Sequence, residues 1–202
     1  VIVGAHGDGN NSASGSGSAF IFFGGITGTK RADADADVIL NGQSANDRFG
    51  RSVASAGDFN GDGKDDVIVG ADGDDGNASN SGRAFIFFGG ITGTKTADAD
   101  ADADVILDGQ SSNDLFGFSV ASAGDFNGDG ASDVIVAARG DDNNSESGSG
   151  SAFVFFSSGA FPSITFSDTT SSQSENTTQV NIPVTLSKTS SSTVTINYTV
   201  TS

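Results

Sequence analysis

Two strings that recur with one period constrain the fold of this 202-residue chain more than any other feature. The string V-I-V-G-A begins at Val1 and Val67, and V-I-V-A-A begins at Val134, which gives spacings of 66 and 67 residues. A second string, A-F-I-F-F-G-G, begins at Ala19 and Ala84, and its variant A-F-V-F-F begins at Ala152. Because two unrelated strings recur together, the chain consists of repeated structural units.

Each repeat predicts four short β-strands. In the F-I-F-F string, Phe85 and Phe87 lie on one face of a strand and Ile86 and Phe88 on the other, so that strand must be covered on both faces. Four-stranded sheets stacked around an axis, like the blades of a propeller, cover both faces. We therefore predict an all-β fold of four-stranded propeller-type blades, with the strands of one repeat at residues 52–57, 67–70, 83–88 and 105–107.

The register of the repeats divides the chain into two predicted domains. Residues 1–157 form a propeller segment, in which 1–48 are a partial blade, 49–115 a full blade and 116–157 a second partial blade. After Pro162 the sequence changes to Thr/Val-rich alternating strands, which predicts the N-terminal part of a β-sandwich at residues 163–202. Since the chain opens in the middle of a repeat, we expect it to be a segment of a larger protein.

Composition limits the classes of partner. Of 26 acidic residues only Glu146 and Glu175 are glutamates, and this excess of Asp, with 29 Gly, favours turns and loops over helices. The net charge of −17 repels nucleic acid and anionic membrane surfaces, and it favours cations. No apolar run approaches the length of a membrane span. We therefore expect neither nucleic-acid binding nor membrane insertion.

Two acidic loops carry a metal-binding pattern. The string D-F-N-G-D-G-K-D-D from Asp58 returns as D-F-N-G-D-G-A-S-D from Asp125, with oxygen side chains at positions 1, 3, 5 and 9. The backbone carbonyl of position 7 can serve as a further oxygen ligand, and Gly at position 6 allows a sharp turn. An EF-hand is excluded because position 12 is Val69 or Val136 where a Glu is needed. The pattern predicts Ca²⁺ in both loops; the alternative is an Asx-rich turn without metal.

The order of these elements resembles the FG-GAP repeats of integrin α-subunit propellers. Phe49-Gly50 or Phe116-Gly117 precedes the acidic loop, and Gly70-Ala71 or Ala137-Ala138 follows it. The resemblance covers residues 1 to about 157 and implies seven-bladed propellers, an extracellular location, and adhesion or ligand recognition. The calcium ligands that it implies are Asp58, Asn60, Asp62, the Lys64 carbonyl and Asp66, and likewise Asp125, Asn127, Asp129, the Ala131 carbonyl and Asp133.

This sequence departs from the FG-GAP pattern at two places. His6, Asp72 and Arg139 stand where the family has a proline after Gly-Ala, and Ala137 replaces a glycine.

Residues 163–202 are similar to the opening of a Calx-β domain. The similarity rests on I-T-F-S at Ile164, a Ser/Glu turn at Glu175, and strands that end at Leu186 and Tyr198. Glu175 falls where that family has a calcium-binding acid. We do not count it as a site, because the remaining ligands of that family lie outside this stretch.

The sequence contains few of the side chains that usually carry out catalysis. It has no cysteine, His6 is its sole histidine, and its aspartates belong to repeated loops. We predict a non-enzymatic, Ca²⁺-stabilised extracellular structural or adhesion protein. One alternative is the protomer of an extracellular fibre completed by strand pairing between copies of the chain. A second is a propeller that binds an extracellular glycan or protein ligand.

Two further sequence features have competing interpretations. The A-D-A-D tracts at residues 32–37 and 97–104 have two interpretations. They could bind further cations, or they could form a solvated outer edge whose charges discourage strand pairing between molecules. We favour the second interpretation. Arg139-Gly140-Asp141 spells an integrin-binding tripeptide. The corresponding repeats read His6-Gly7-Asp8 and Asp72-Gly73-Asp74, so we interpret it as an ordinary acidic loop.

Overall fold

The computed structural model describes residues 1–9, 13–96, 102–142 and 148–157, together with the backbone of two short strands further along. Almost all of its regular structure is β. One helical turn, α1 (Ala32–Asp35), lies within the first A-D-A-D tract and buries none of its residues. The strands are β1 (Ile2–Ala5), β2 (Ser18–Ile21), β3 (Val38–Asn41), β4 (Ser52–Gly57), β5 (Asp66–Ala71), β6 (Arg83–Phe87), β7 (Gly93–Thr96), β8 (Val105–Asp108), β9 (Phe116–Gly124), β10 (Asp133–Ala138), β11 (Ser151–Phe155), β12 (Ile164–Phe166) and β13 (Val184–Leu186).

Three sheets correspond to the predicted blades. Blade 1 contains β1, β2 and β3 in antiparallel order, blade 2 contains β4, β5, β6 and β8, and blade 3 contains β9, β10 and β11. Blade 2 is an antiparallel meander, and its four strands are the number predicted for one period of the repeat. The predicted all-β fold of propeller-type blades is therefore confirmed, while the exact domain limits remain a prediction.

The segment after blade 3 contributes a separate two-stranded antiparallel sheet. Strand β12 pairs with β13, and Ile164 lies opposite Leu186. These strands coincide with two of those predicted for the β-sandwich. Glu175 and the predicted strand ending at Tyr198 lie outside the described residues.

One strand was missed by the sequence analysis. The string G-G-I-T-G-T-K, which we interpreted as a turn, ends in β7, and β7 pairs in parallel with the outer edge of β3. Gly93 takes a φ of +81°, which turns the chain toward the neighbouring blade. Blade 2 thereby donates a fourth strand to blade 1. Propensity alone could not reveal this, since the pairing partner belongs to another repeat.

The two faces of the F-I-F-F strand are covered by different neighbours. Phe85 and Phe87 belong to a core cluster between blades 1 and 2, and Ile86 belongs to a second cluster between blades 2 and 3. The ring of Phe49 meets those of Phe85 and Phe87 edge-on, with centroids 5.5 and 6.3 Å apart. Coverage on both faces, predicted from the sequence, is thus achieved by stacking blades.

Glycines set the distance between blades. A Cβ placed on Gly4 would lie 2.1 Å from the carbonyl oxygen of Gly50, and a Cβ on Gly70 would lie 2.0 Å from that of Gly117. Gly50 and Gly117 have φ angles of +80° and +82°. The Phe-Gly and Gly-Ala strings therefore meet across each blade junction, where the backbones approach too closely for any side chain.

We expect Gly70→Ala to destabilise the protein by about 1–3 kcal/mol, because the methyl group must displace the Gly117 carbonyl and force the two blades apart. For a chain of this size the expected fall in Tm is about 2–4 °C per kcal/mol. Gly7→Ala is the control, since a Cβ on Gly7 meets nothing within 4 Å. Thermal unfolding followed by circular dichroism tests this; equal melting of the two variants would contradict the proposed blade spacing.

Candidate metal sites in two acidic loops

The two acidic loops occupy equivalent places in consecutive blades. The first loop, residues 58–66, connects β4 to β5, and the second, residues 125–133, connects β9 to β10. Gly63 and Gly130, at position 6, have φ angles of +89° and +86°. The sharp turn predicted at this position is therefore present in both copies.

The carboxylate of the first aspartate in each loop accepts hydrogen bonds from backbone N–H groups of the same turn. The carboxylate of Asp58 accepts hydrogen bonds from the N–H groups of Asp62 at 2.8 Å and Gly63 at 2.9 Å. Asp125 accepts the equivalent bonds from Asp129 at 2.8 Å and Gly130 at 2.9 Å. Position 1 therefore points into the loop in both copies, as a ligand at this position must.

Positions 3 and 5 repeat the same arrangement. In the first loop the Asn60 side chain accepts the N–H of Asp62 at 2.8 Å, and the Asp62 side chain accepts the N–H of Lys64 at 2.9 Å. The second loop shows the same bonds from Asp129 to Asn127 and from Ala131 to Asp129, each at 2.9 Å. The N–H of Lys64 holds the pKa of the Asp62 carboxyl below its usual range, which favours the ionised form.

The last aspartate of each loop is buried and fastens the loop to the sheet. Asp66 is 1 % exposed, and its carboxylate accepts the N–H groups of Phe59 at 2.8 Å, Asn60 at 3.2 Å and Gly89 at 2.7 Å. Burial raises the pKa of Asp66, and these three hydrogen bonds oppose the rise. Gly89 follows β6, so Asp66, at the start of β5, joins the loop to the end of the neighbouring strand.

Asp133 repeats this arrangement in the second loop. Its carboxylate accepts the N–H groups of Phe126 at 2.8 Å, Asn127 at 3.1 Å and Ser157 at 2.9 Å, and Asp133 is fully buried. The sequence analysis assigned Asp66 and Asp133 only as ligands. Their structural role follows from burial, which the spacing of oxygens does not show.

The carboxylates of each loop are oriented by backbone N–H groups, and they do not form a tight cluster. Within the residues that the structure describes, no three His, Cys, Asp or Glu side chains are close enough together to hold a metal ion. An ionised carboxylate has about four lone-pair sites, so the hydrogen bonds of Asp58 and Asp125 leave acceptor capacity for a cation. The residues are compatible with Ca²⁺, and the ligand set remains a prediction.

The two loops contact each other across the junction of blades 2 and 3. The N–H of Ser132 donates to the carbonyl of Asp58 at 3.0 Å, and Phe59 is only 8 % exposed within the core between these blades. The equivalent Phe126 is 67 % exposed and stacks on Phe156 at 6.4 Å. The first loop is thus part of a blade junction, whereas the second lies at an open face.

A second polar cluster, which the sequence analysis missed, lies where β5 ends. The buried carboxylate of Asp72 pairs with Arg48 at 3.4 Å and Arg51 at 3.6 Å. Arg83 contacts both Asp74 at 3.5 Å and Asp108 at 2.6 Å. Only the Gly-Asp pair of the Asp72-Gly73-Asp74 string repeats with the blades. Asp72 itself is not repeated, and its partners Arg48 and Arg51 are distant in sequence.

The Arg139-Gly140-Asp141 tripeptide lies in the equivalent region of blade 3. The Arg139 guanidinium stacks on the ring of Phe118 at 4.7 Å, and Arg51 lies 4.8 Å from the same ring. Asp141 is only 4 % exposed. The tripeptide therefore does not present its two charged side chains together to solvent.

Comparison with known proteins agrees with the repeat geometry. The family model of the FG-GAP repeat matches residues 49–87 and 116–155. Both segments match the family model, and each runs from a Phe-Gly pair through an acidic loop to the third strand of a blade. The chain is also 35 % identical over 109 residues to integrin alpha-5 of Xenopus laevis, a match that covers 52 % of this chain and 10 % of the integrin.

The comparisons confirm the FG-GAP and integrin-like part of the sequence interpretation. The resemblance of residues 163–202 to a Calx-β domain remains a proposal. Among the residues that the structure describes, no helix has both the length and the hydrophobicity needed to cross a bilayer.

The buried carboxyl of Asp47 makes the stability of the protein depend on pH. Burial raises the pKa of its carboxyl from 3.8 to about 6, although the N–H of Ser44 donates to it at 2.8 Å. The folded state therefore binds a proton more tightly than the unfolded state, and this residue's contribution to stability falls as pH rises from about 4 to about 6. Above pH 6 its burial as an anion is unfavourable.

We expect Asp47→Asn to raise stability at pH 7 by an amount of order 1 kcal/mol, because the amide removes the buried charge and still accepts the Ser44 hydrogen bond. Below pH 4 the variant and the parent should unfold at the same temperature. Thermal melts at intervals between pH 3.5 and pH 7 measure the difference. A constant difference across that range would contradict the raised pKa.

Proposed function

We propose that this chain is a non-enzymatic, calcium-binding extracellular structural or adhesion module whose FG-GAP blades are stabilised by Ca²⁺ in the two acidic loops. The observation that carries this proposal is the identical hydrogen-bond scaffold of the two loops, which orients the oxygens of positions 1, 3 and 5 around a glycine turn. The repetition of this scaffold in two blades supports one shared role for the two loops.

The charge of each loop supports a divalent cation as the occupant. Ca²⁺ takes six to eight oxygen ligands at flexible angles, and it accepts carboxylate, amide and carbonyl oxygens together. When bound, it supplies positive charge that relieves repulsion among the aspartates and links the ends of the loop. The proposed ligands are Asp58, Asn60, Asp62, the Lys64 carbonyl and Asp66, and in the second loop Asp125, Asn127, Asp129, the Ala131 carbonyl and Asp133.

The position of the first loop indicates what a cation there would stabilise. Because Asp58 accepts a hydrogen bond from Ser132 of the next blade, fixing the first loop also fixes part of the junction between blades 2 and 3. The proposed function of the metal is therefore structural. Affinity in the range of extracellular calcium modules, on the order of 10⁻⁴–10⁻³ M, would suffice.

The extracellular and adhesive parts of the proposal rest on the comparisons. FG-GAP repeats and the similarity to integrin alpha-5 support a cell-surface or secreted location and an extracellular protein ligand. The absence of cysteine and the presence of a single histidine in the sequence support a non-enzymatic role. We further propose that residues 163–202 begin a Calx-β-like β-sandwich, which the antiparallel pairing of β12 with β13 supports.

Titration calorimetry with CaCl₂ should detect two binding equivalents in the parent chain and one in Asp58→Ala or Asp125→Ala. At a calcium concentration ten times the dissociation constant, each site should add about 1.4 kcal/mol of stability. The Tm should accordingly rise by about 2–4 °C per kcal/mol relative to the chain in EDTA.

Asp65→Asn is the matched control for this experiment. It removes one negative charge from the same loop at position 8, which is exposed and is not a proposed ligand. It should retain both equivalents. Absence of binding heat in the parent, with equal melting in CaCl₂ and EDTA, would contradict the proposal.

A further inference from the structure

One peptide group of the second acidic loop also contacts the first loop. It joins Ala131 to Ser132, between the proposed ligands at positions 7 and 9. Its N–H, on Ser132, donates to the carbonyl of Asp58 at 3.0 Å, and Asp58 is position 1 of the first loop. Its carbonyl, on Ala131, is a proposed ligand of the second loop. The two proposed calcium sites are therefore connected by a single planar unit.

The geometry of this peptide group links the orientations of its two ends. The described part of the chain contains no cis peptide bond, and in a planar trans peptide the C=O and the N–H point in opposite directions. Because the Ser132 N–H points at Asp58, the Ala131 carbonyl points away from it. Ala131 is buried, and its own N–H donates to the Asp129 carboxylate at 2.9 Å. A rotation that turns the carbonyl must also turn the N–H away from the first loop.

The hydrogen bond from Ser132 continues to the last ligand of the first loop. The next peptide group carries the Asp58 carbonyl at one end and the Phe59 N–H at the other, and this N–H donates to the Asp66 carboxylate at 2.8 Å. Successive hydrogen bonds of this kind polarise one another in a low-dielectric environment. Asp66 is buried, so water does not compete for this bond. A carbonyl ligand of the second loop and a carboxylate ligand of the first are thus the two ends of one hydrogen-bonded chain.

Side-chain packing fixes the same contact between the loops. A Cβ placed on Gly57 would lie 2.3 Å from the hydroxyl oxygen of Ser132, so Ser132 lies directly against the backbone that enters the first loop. Phe59, one residue after Asp58, is buried in the core between blades 2 and 3. Because this junction is closely packed, a movement of one loop relative to the other disturbs packing as well as a hydrogen bond.

Charge allows both loops to be filled at the same time. The first loop contains four aspartates and one lysine, and the second contains three aspartates, so each has a formal net charge of −3. A divalent cation leaves each loop with a net negative charge. Repulsion between the two cations is screened at physiological ionic strength, where the Debye length is about 8 Å. We therefore expect the ordering of the connecting peptide group to decide the sign of the coupling.

We propose that the two loops bind calcium with positive cooperativity, and that the Ala131–Ser132 peptide group couples them. The inference rests on the proposed function and adds regulation of each site by the other. An Ala131 carbonyl fixed as a ligand keeps the Ser132 N–H on Asp58, and an ordered Asp58 holds the same peptide group for the second loop. Ordering that has already occurred is not paid for again by the second cation. By linkage, each site changes the affinity of the other by the same factor, typically about fivefold or more.

A CaCl₂ titration of the full chain, followed by two-dimensional amide NMR, measures each site separately. The amides of Gly63 and Gly130 are the reporters, because each donates to the aspartate at position 1 of its own loop. In Asp125→Ala the first loop should need about fivefold more calcium, or a larger excess, for half-saturation. In Asp58→Ala the second loop should need more calcium by the same factor.

Phe126→Ala is the matched control for a change in the second loop. It removes an exposed side chain at position 2, which is not a proposed ligand, and it keeps the backbone N–H that binds Asp133. In this variant the first loop should fill as in the parent. Two substitutions at Ser132 then test the connecting peptide group, since Ser132→Pro removes the N–H and Ser132→Ala retains it. The first loop should fill at higher calcium in Ser132→Pro, and adding Asp125→Ala should change it no further.

Amide hydrogen exchange tests the coupling without the proline variant. In Asp125→Ala the first loop is the one that still has all of its proposed ligands, yet calcium should slow exchange of the Ser132 amide in the second. The Ser44 amide is the control, because it donates to Asp47 at the opposite end of the blades and should exchange at the same rate with and without calcium. Equal slowing at both amides, or no slowing at Ser132, would overturn the proposal.

The outcomes separate this inference from the proposed function. Binding at both loops of the parent, with the same half-saturation of the first loop in Asp125→Ala, would mean independent sites and would overturn the coupling alone. A shift in Phe126→Ala as large as that in Asp125→Ala would also overturn it, because the shift would then not depend on a ligand. If neither glycine amide responds to calcium in the parent, the proposed function fails and the coupling fails with it.

Discussion

Close backbone contact between neighbouring sheets is the constraint on which the rest of the structure depends. At each junction the carbonyl of a Phe-Gly pair meets the glycine of the preceding Gly-Ala pair, at a distance that leaves no room for a Cβ. Phe49 and Phe116 then fill the space beside these contacts with edge-on rings. The strings that mark the repeat in sequence are therefore the residues that set blade spacing in three dimensions.

Blade spacing also positions the acidic loops. Because a Phe-Gly pair lies at or just before the start of both β4 and β9, the loops that follow these strands extend from the same end of neighbouring sheets. Phe59 then enters the core between blades 2 and 3, and Ser132 reaches the carbonyl of Asp58. Asp66 connects its loop to the end of β6 through Gly89. A cation bound in the first loop would therefore act on a junction between blades as well as on a turn.

The sequence was sufficient for features that depend on local patterns of residues. Alternating apolar faces predicted the strands, and coverage of both faces predicted stacked sheets. Features that depend on contacts between segments separated in sequence were missed. Strand β7 forms because an edge in blade 1 is available, Arg83 pairs with Asp74 and Asp108 because three segments converge, and Asp66 is oriented by N–H groups from two elements. None of these partners is set by local propensity.

Ala137 makes the outer face of blade 3 different from the faces that blades 1 and 2 present to their neighbours. It stands where Gly4 and Gly70 stand in the preceding repeats, and at those positions a carbonyl of the next blade would lie 2.1 or 2.0 Å from a Cβ. A further FG-GAP blade could not approach blade 3 to the same depth without displacing its backbone. Phe126 accordingly lies 67 % exposed where Phe59 is buried.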